Sequence, residues 1–92
     1  MADGVKRVLT IINEKGLHAR ASAKLVELVE AFDAEAEVSK DGLSVTGDSI
    51  MGLLMLAAAR GCDIEVETKG KEAAALADAI ERLVSEKFGE EA

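Results

Sequence analysis

No proline interrupts the 92 residues, tryptophan and tyrosine are missing, and two phenylalanines supply all the aromatic surface. A core built by this chain must therefore rest on Leu, Val, Ile, Ala and Met. A domain of this length buries roughly 60–65% of its unfolded surface, so such a core is modest but sufficient. The lone cysteine, Cys62, excludes an internal disulfide, and the lone histidine, His18, has no Cys or second His near it in sequence to complete a metal site. No metal and no cofactor are expected. Cys62 reads as a small packed residue at the start of a strand. The longest apolar run, Leu53 to Ala59, is too short to span a bilayer, and nothing at the N-terminus resembles a signal peptide. A cytoplasmic chain without membrane insertion is the expectation. Positive charge is also scarce and scattered: 11 Lys and Arg face 18 Asp and Glu, for a net charge of −7. Without a basic cluster there is nothing to grip a nucleic-acid backbone.

What remains is periodicity. Val5 to Ile12 is a β-branched strand with apolar groups on both faces, so pattern alone does not say whether Arg7, Leu9 and Ile11 or Val8, Thr10 and Ile12 face inward. Asn13-Glu14-Lys15-Gly16 breaks it. From His18 to Phe32 the spacing turns helical, with Ala21, Leu25, Leu28, Val29 and Phe32 on one stripe. Ala34 to Lys40 and Leu43 to Thr46 alternate on either side of Asp41-Gly42, a strong two-residue hairpin signal. A second helix is expected from Ile50 to about Ala58, capped by Asp48 or Ser49 and stopped by Gly61. Asp63 to Thr68 alternates, with Ile64 and Val66 inward. A third helix carries Ala73, Leu76, Ala77, Ile80, Leu83, Val84 and Phe88 and ends at Gly89, leaving Glu90-Glu91-Ala92 frayed. The order β-α-β-β-α-β-α, with one polar side on each strand and one apolar stripe on each helix, predicts a single α+β domain over residues 1–92. Its helices would cover one face of an antiparallel sheet.

His18 stands where the first helix should begin, in Gly16-Leu17-His18-Ala19-Arg20. A helix start offers unpaired N–H groups and the positive end of the macrodipole, and so favours an anion. Imidazole is a nucleophile able to hold a phosphoryl group as a labile phosphoramidate. The N–H groups near Ala19 and Arg20 would be fixed donors to that group, and the Arg20 guanidinium a charged fork matched to phosphate oxygens. Lys15 adds positive field. A His at a helix start can equally do no more than line a loop. A small enzyme with His18 as general base is a weak reading, because no second acid, base or nucleophile is placed by spacing.

Farther along, Ile50, Met51, Leu53, Leu54, Met55 and Leu56 are too many apolar residues for one buried stripe. Leu53 and Leu56 suit the core. Ile50, Met51 and Leu54 are candidates for an exposed, adaptable contact patch.

Both segments resemble signatures of HPr, the histidine phosphocarrier family of the bacterial phosphotransferase system. Gly16-Leu17-His18-Ala19-Arg20 is similar to the family's active-site motif, and Ser49-Ile50-Met51-Gly52-Leu53-Leu54 to the motif around its regulatory serine. The separation of the motifs, the length and the order of elements fit over nearly the whole chain. The resemblance implies an open-faced β-sandwich, with a four-stranded antiparallel sheet in order 1-4-2-3 and three helices on one face. It implies that His18 Nδ1 takes a phosphoryl group from enzyme I and passes it to an enzyme IIA-type acceptor, with Arg20 stabilising the phosphate. The protein would then be a carrier without turnover of its own. It further implies that Ser49 is a target of an HPr kinase/phosphorylase, beside a surface (Ile50, Met51, Leu54) that docks enzyme I. A carrier that docks several partners in turn is expected to be a monomer. The family usually has proline after the arginine, and here Ala21 stands there. That variant is similar to HPr proteins of alphaproteobacterial type, many of which serve a regulatory, nitrogen-related chain, so sugar uptake and nitrogen regulation both stay open. The competing reading is an HPr-fold regulator acting mainly through Ser49 phosphorylation and protein contacts.

Overall fold

The computed structural model describes residues 4–92. Strand β1 runs Gly4–Thr10, helix α1 Ala19–Glu30, β2 Glu35–Lys40, β3 Leu43–Thr46, α2 Ile50–Met55, β4 Asp63–Lys69 and α3 Ala73–Ser85, followed by a 3-10 turn at Lys87–Gly89. The strands form one antiparallel sheet in the order β1-β4-β2-β3. This is the expected topology, and the expected α+β class. No helix among the described residues is long and apolar enough to cross a membrane.

Pairing settles the two-faced first strand. Leu9 sits opposite Ile64, and Arg7, Val66, Val38 and Val45 make one row across all four strands. Since Ile64, Val66 and Val38 are buried, Leu9 and Ile11 face inward, while Val8 is 63% exposed on the open face. A register slip of one residue would exchange those faces. Arg7, on the inner side at the sheet edge, reaches out to Asp78 (2.9 Å) and Glu81 (2.6 Å) on α3. The hairpin turn at Asp41-Gly42 has φ of 51° and 86°, the positive values that a two-residue turn between twisted strands demands.

Helix α1 buries Ala21, Leu25 and Val29 and leaves Leu28 half-buried; Phe32, just beyond its end, is half-buried too. It packs against both other helices. All three helices end earlier than their periodicity suggests, α1 at Glu30 rather than Phe32. Helix α2 stops at Met55 rather than near Ala58, and Gly61 is not its terminator. Ala57 turns left-handed (φ 51°), which buries Ala58 and points its carbonyl at the Leu17 N–H, 2.8 Å away. Helix α3 stops at Ser85. Lys87, Phe88 and Gly89 then all take positive φ, and this reversal drives Phe88 to full burial. The apolar residue belongs to the core as expected, but it arrives from a turn.

Phe88 is the largest fully buried side chain. Phe88→Ala should cost about 3–5 kcal/mol, the range for truncating a buried aromatic. Urea unfolding followed by circular dichroism measures it, and a loss below about 1 kcal/mol would contradict this placement.

Candidate functional site

The loop between β1 and α1 is held from three sides before it reaches His18. Asn13 is fully buried, and its Nδ2 donates to the Gly16 carbonyl (2.8 Å) while its own carbonyl accepts the Gly16 N–H (3.2 Å). Gly16 takes φ 68°, and a Cβ there would lie 2.6 Å from the Ala58 carbonyl oxygen. Only glycine fits that contact. Leu17 is buried and donates its N–H to the same carbonyl. The chain therefore enters α1 at a fixed point.

His18 is the N-cap residue of α1, with extended backbone (φ −79°, ψ −177°). Its carbonyl accepts the Ser22 N–H at 2.8 Å, but its side chain caps nothing. Ser22 Oγ turns back to the Leu17 carbonyl instead (3.3 Å). The N–H groups of Ala19, Arg20 and Ala21 have no hydrogen-bond partner among the described residues. This is the orphan-donor cluster that a helix start provides. The Ala21 side chain is completely buried, so alanine fills the core here and keeps the third N–H that proline would lack. Arg20 is exposed and joins no ion pair among the described residues.

The final residues are not frayed, contrary to expectation. Lys24 Nζ donates to the Phe88 carbonyl (2.7 Å), and the Glu14 N–H donates to the Ala92 carbonyl (3.1 Å). Between these ties, Glu90 lies across the loop. Its Oε1 accepts from Asn13 Nδ2 (3.0 Å) and its Oε2 pairs with His18 Nε2. The side chains of His18 and Glu90 are 28% and 18% exposed, so the pair is partly shielded from water. The hydrogen bond from His18, then that from Asn13, holds the Glu90 carboxyl below its ordinary value of 4.5, and nearby Lys15 assists. A hollow of about 510 Å³ is lined by Lys15, His18, Ala19, Arg20 and Glu90 together. The sequence-predicted loop residues thus share one site, and two members were missed. Asn13 looked like a strand breaker, and Glu90 looked like tail.

Ser49 caps α2 as one of the two candidates foreseen, its Oγ accepting the Gly52 N–H at 3.0 Å. Asp48 makes no cap. Ile50, Met51 and Leu54 are 40%, 71% and 36% exposed, while Leu53 and Leu56 are buried. Met55, at 67%, joins this patch and was not singled out by pattern. Gly52 serves packing: a Cβ there would lie 3.0 Å from Val45 Cβ, so its missing side chain lets α2 sit close on β3.

Comparison with known proteins places these features in context. The family model described as "PTS HPr component phosphorylation site" matches residues 5–86. "Phosphocarrier protein HPr" of Neisseria meningitidis is 46% identical, covering 94% of this chain and 97% of that protein. "Phosphocarrier protein NPr" of Shewanella violacea is 43% identical over 94% of each. The crystal structure of HPr-C-His from Thermoanaerobacter tengcongensis superposes with a TM-score of 0.91 at 32% identity, covering 96% of this chain and 99% of that one.

Two outcomes follow from the geometry. Ser49→Ala should cost about 1 kcal/mol, the usual worth of an N-cap, read from chemical denaturation. Glu90 binds its proton less tightly folded than unfolded, so its contribution is fully present above the ordinary carboxylate range and is lost as pH falls through the lowered folded value. Amide exchange at Gly89 and Glu90 should therefore speed up in that acidic window, and Glu90→Gln should abolish the pH step. A tail equally protected on both sides of the window contradicts the tie.

Proposed function

This chain belongs to the HPr family, and we propose that it is a phosphocarrier of a phosphotransferase chain in which His18 holds the phosphoryl group. The group comes from phosphorylated enzyme I and leaves to an enzyme IIA-type acceptor. The protein has no turnover of its own; it is charged and discharged. Relatives named both HPr and NPr match over nearly the whole length, which supports a place in either a sugar or a nitrogen-related chain.

One observation carries the reading. A partly exposed imidazole stands at the start of a twelve-residue helix, beside three orphan N–H groups and an uncommitted arginine. Phosphoryl transfer asks little of a protein beyond position and electrostatic stabilisation of the equatorial oxygens. The amides of Ala19 and Arg20 supply fixed dipoles, and the Arg20 guanidinium supplies a mobile charge able to follow the group on and off. A carrier bond must remain reversible, and phosphoramidate at imidazole meets that need.

Regulation at Ser49 belongs to the same proposal. Phosphorylation there adds about two negative charges beside Asp48 and at the rim of the Ile50, Met51 and Leu54 patch. A dianion is tolerated at a helix start, so the fold survives, but an apolar docking surface edged with charge pairs less well with enzyme I. An HPr kinase/phosphorylase would be the modifying partner. Action mainly through Ser49 would leave the uncommitted Arg20 beside His18 without a role, and for that reason the carrier reading is preferred.

Incubation with enzyme I and phosphoenolpyruvate should add one acid-labile phosphate, absent in His18→Ala; a phosphate persisting in that variant would overturn the assignment. Ser49→Asp should slow the charging rate roughly tenfold with the melting profile preserved, the scale expected for losing one well-made contact. Unchanged charging kinetics would reject the switch.

A further inference from the structure

The contact between His18 and Glu90 differentiates the two nitrogens of the imidazole. A carboxylate only accepts hydrogen bonds, and a neutral imidazole carries one N–H. The ring nitrogen facing Glu90 is Nε2, so Nε2 carries the hydrogen and Nδ1 the lone pair. Nδ1 makes no hydrogen bond among the described residues. The carboxylate is not simply following the ring. Its other oxygen is bonded to Asn13 Nδ2, and that same nitrogen is bonded to the Gly16 carbonyl in the loop that leads into His18. The tail that carries Glu90 is fastened on either side by the Lys24 and Glu14 hydrogen bonds. Loop and tail thus present a prearranged acceptor to one specified ring nitrogen.

We propose that Glu90 is a positioning residue for His18, one that fixes the Nε2–H tautomer and thereby directs phosphoryl transfer to Nδ1. The proposal rests on the phosphocarrier reading and deepens it. The step balances without moving a proton. The Nδ1 lone pair forms the N–P bond as the bond from phosphorus to the donor breaks, and the donor's leaving group keeps that electron pair. Nε2 retains its hydrogen. The phosphorylated ring is then a cation, and the Glu90 carboxylate beside Nε2–H compensates that charge. On discharge, the N–P electron pair returns to Nδ1 and the neutral tautomer is restored, ready for the next cycle. The lowered proton affinity of Glu90 fits this part, since a weakly basic carboxylate leaves the hydrogen on the ring. A carboxylate orienting a histidine through the nitrogen that does not react is a general device of histidine chemistry.

The test uses the full chain, 15N-labelled, and the small-molecule donor phosphoramidate, so that no partner protein selects the nitrogen. Ring 15N–1H correlation of the unphosphorylated protein reads the tautomer, and 15N–31P coupling reads the site of attachment. The expected result is an Nε2–H ring and attachment at Nδ1. Glu90→Ala should lose the tautomer preference and raise the fraction of Nε2-linked phosphate by roughly tenfold or more, the scale of losing a hydrogen bond to a charged group. A predominantly Nδ1–H ring in the unaltered protein overturns the proposal, whether or not the variant folds. So does a Glu90→Ala protein, folded by circular dichroism, with the wild-type isomer ratio. The two readings fail separately. If enzyme I charges His18 but the isomer ratio ignores Glu90, the positioning role falls alone. If enzyme I never charges His18 while the ring is Nε2–H, the carrier reading falls instead.

Discussion

One buried amide organises the functional end of this molecule. Asn13 is wholly removed from water, and its Nδ2 bonds both the Gly16 carbonyl and Glu90. Burying a primary amide is unfavourable unless its polar atoms are paired, and Asn13 Oδ1 has no partner among the described residues, so the two Nδ2 bonds, one to the loop and one to the tail, are what offset the cost. The position of His18 follows. Gly16 is pressed against Ala58, Leu17 is bonded to the same carbonyl, and the next residue opens α1 with its side chain free of capping duty. The imidazole is thus fixed at its backbone by packing and at Nε2 by a carboxylate, while Nδ1 makes no hydrogen bond among the described residues.

The sheet and the helical stripes were legible because they depend on local period. Alternation in Ala34–Lys40 and Asp63–Thr68, the Asp-Gly turn and the 3.6-residue stripe of α1 each state their structure within a dozen residues. Where the reading stopped short, a distant contact decided the outcome. The face of β1 was ambiguous until pairing with β4 put Leu9 opposite Ile64. Helix α2 stopped early because Ala58 is needed at the β1–α1 loop, 41 positions back in sequence from Ala58 to Leu17. The α3 pattern includes Phe88 correctly as core, but periodicity cannot register a left-handed turn that delivers the same side chain from another direction. Glu90 and Asn13 lie 77 residues apart, and neither carries a motif of its own, so their union was invisible before folding.

Helix α2 shows the opposite relation between pattern and structure. A six-residue helix has little more than one inward-facing stripe, and Leu53 takes it, with Leu56 just beyond. Its remaining apolar residues are left in water, and the surplus was countable from sequence. Gly52 then sets how close the helix lies to β3, and Ser49 closes its first turn. The patch of Met51 and Met55 is therefore presented on a short but well-fastened element. Flexible thioether side chains on a fixed backbone suit successive partners better than a mobile loop would, because only side-chain freedom must be lost on docking.

The proposed role of His18 has to be reconciled with the acidity of the chain. With a net charge of −7, the molecule as a whole repels a dianion. Ala19, Arg20 and Ala21 contribute unpaired N–H donors, and Lys15 and Arg20 line the same hollow. The one carboxylate in hydrogen-bond contact with the imidazole approaches it at Nε2. Within the proposed chemistry that arrangement places the negative charge of Glu90 where positive charge develops and leaves the dipoles to the phosphoryl oxygens. Glu14 and Glu91 line the hollow as well, so its side chains are not net positive, and the fixed donors of the helix start are what meet the phosphoryl oxygens at contact distance, whereas carboxylates dispersed over the surface act through screened solvent.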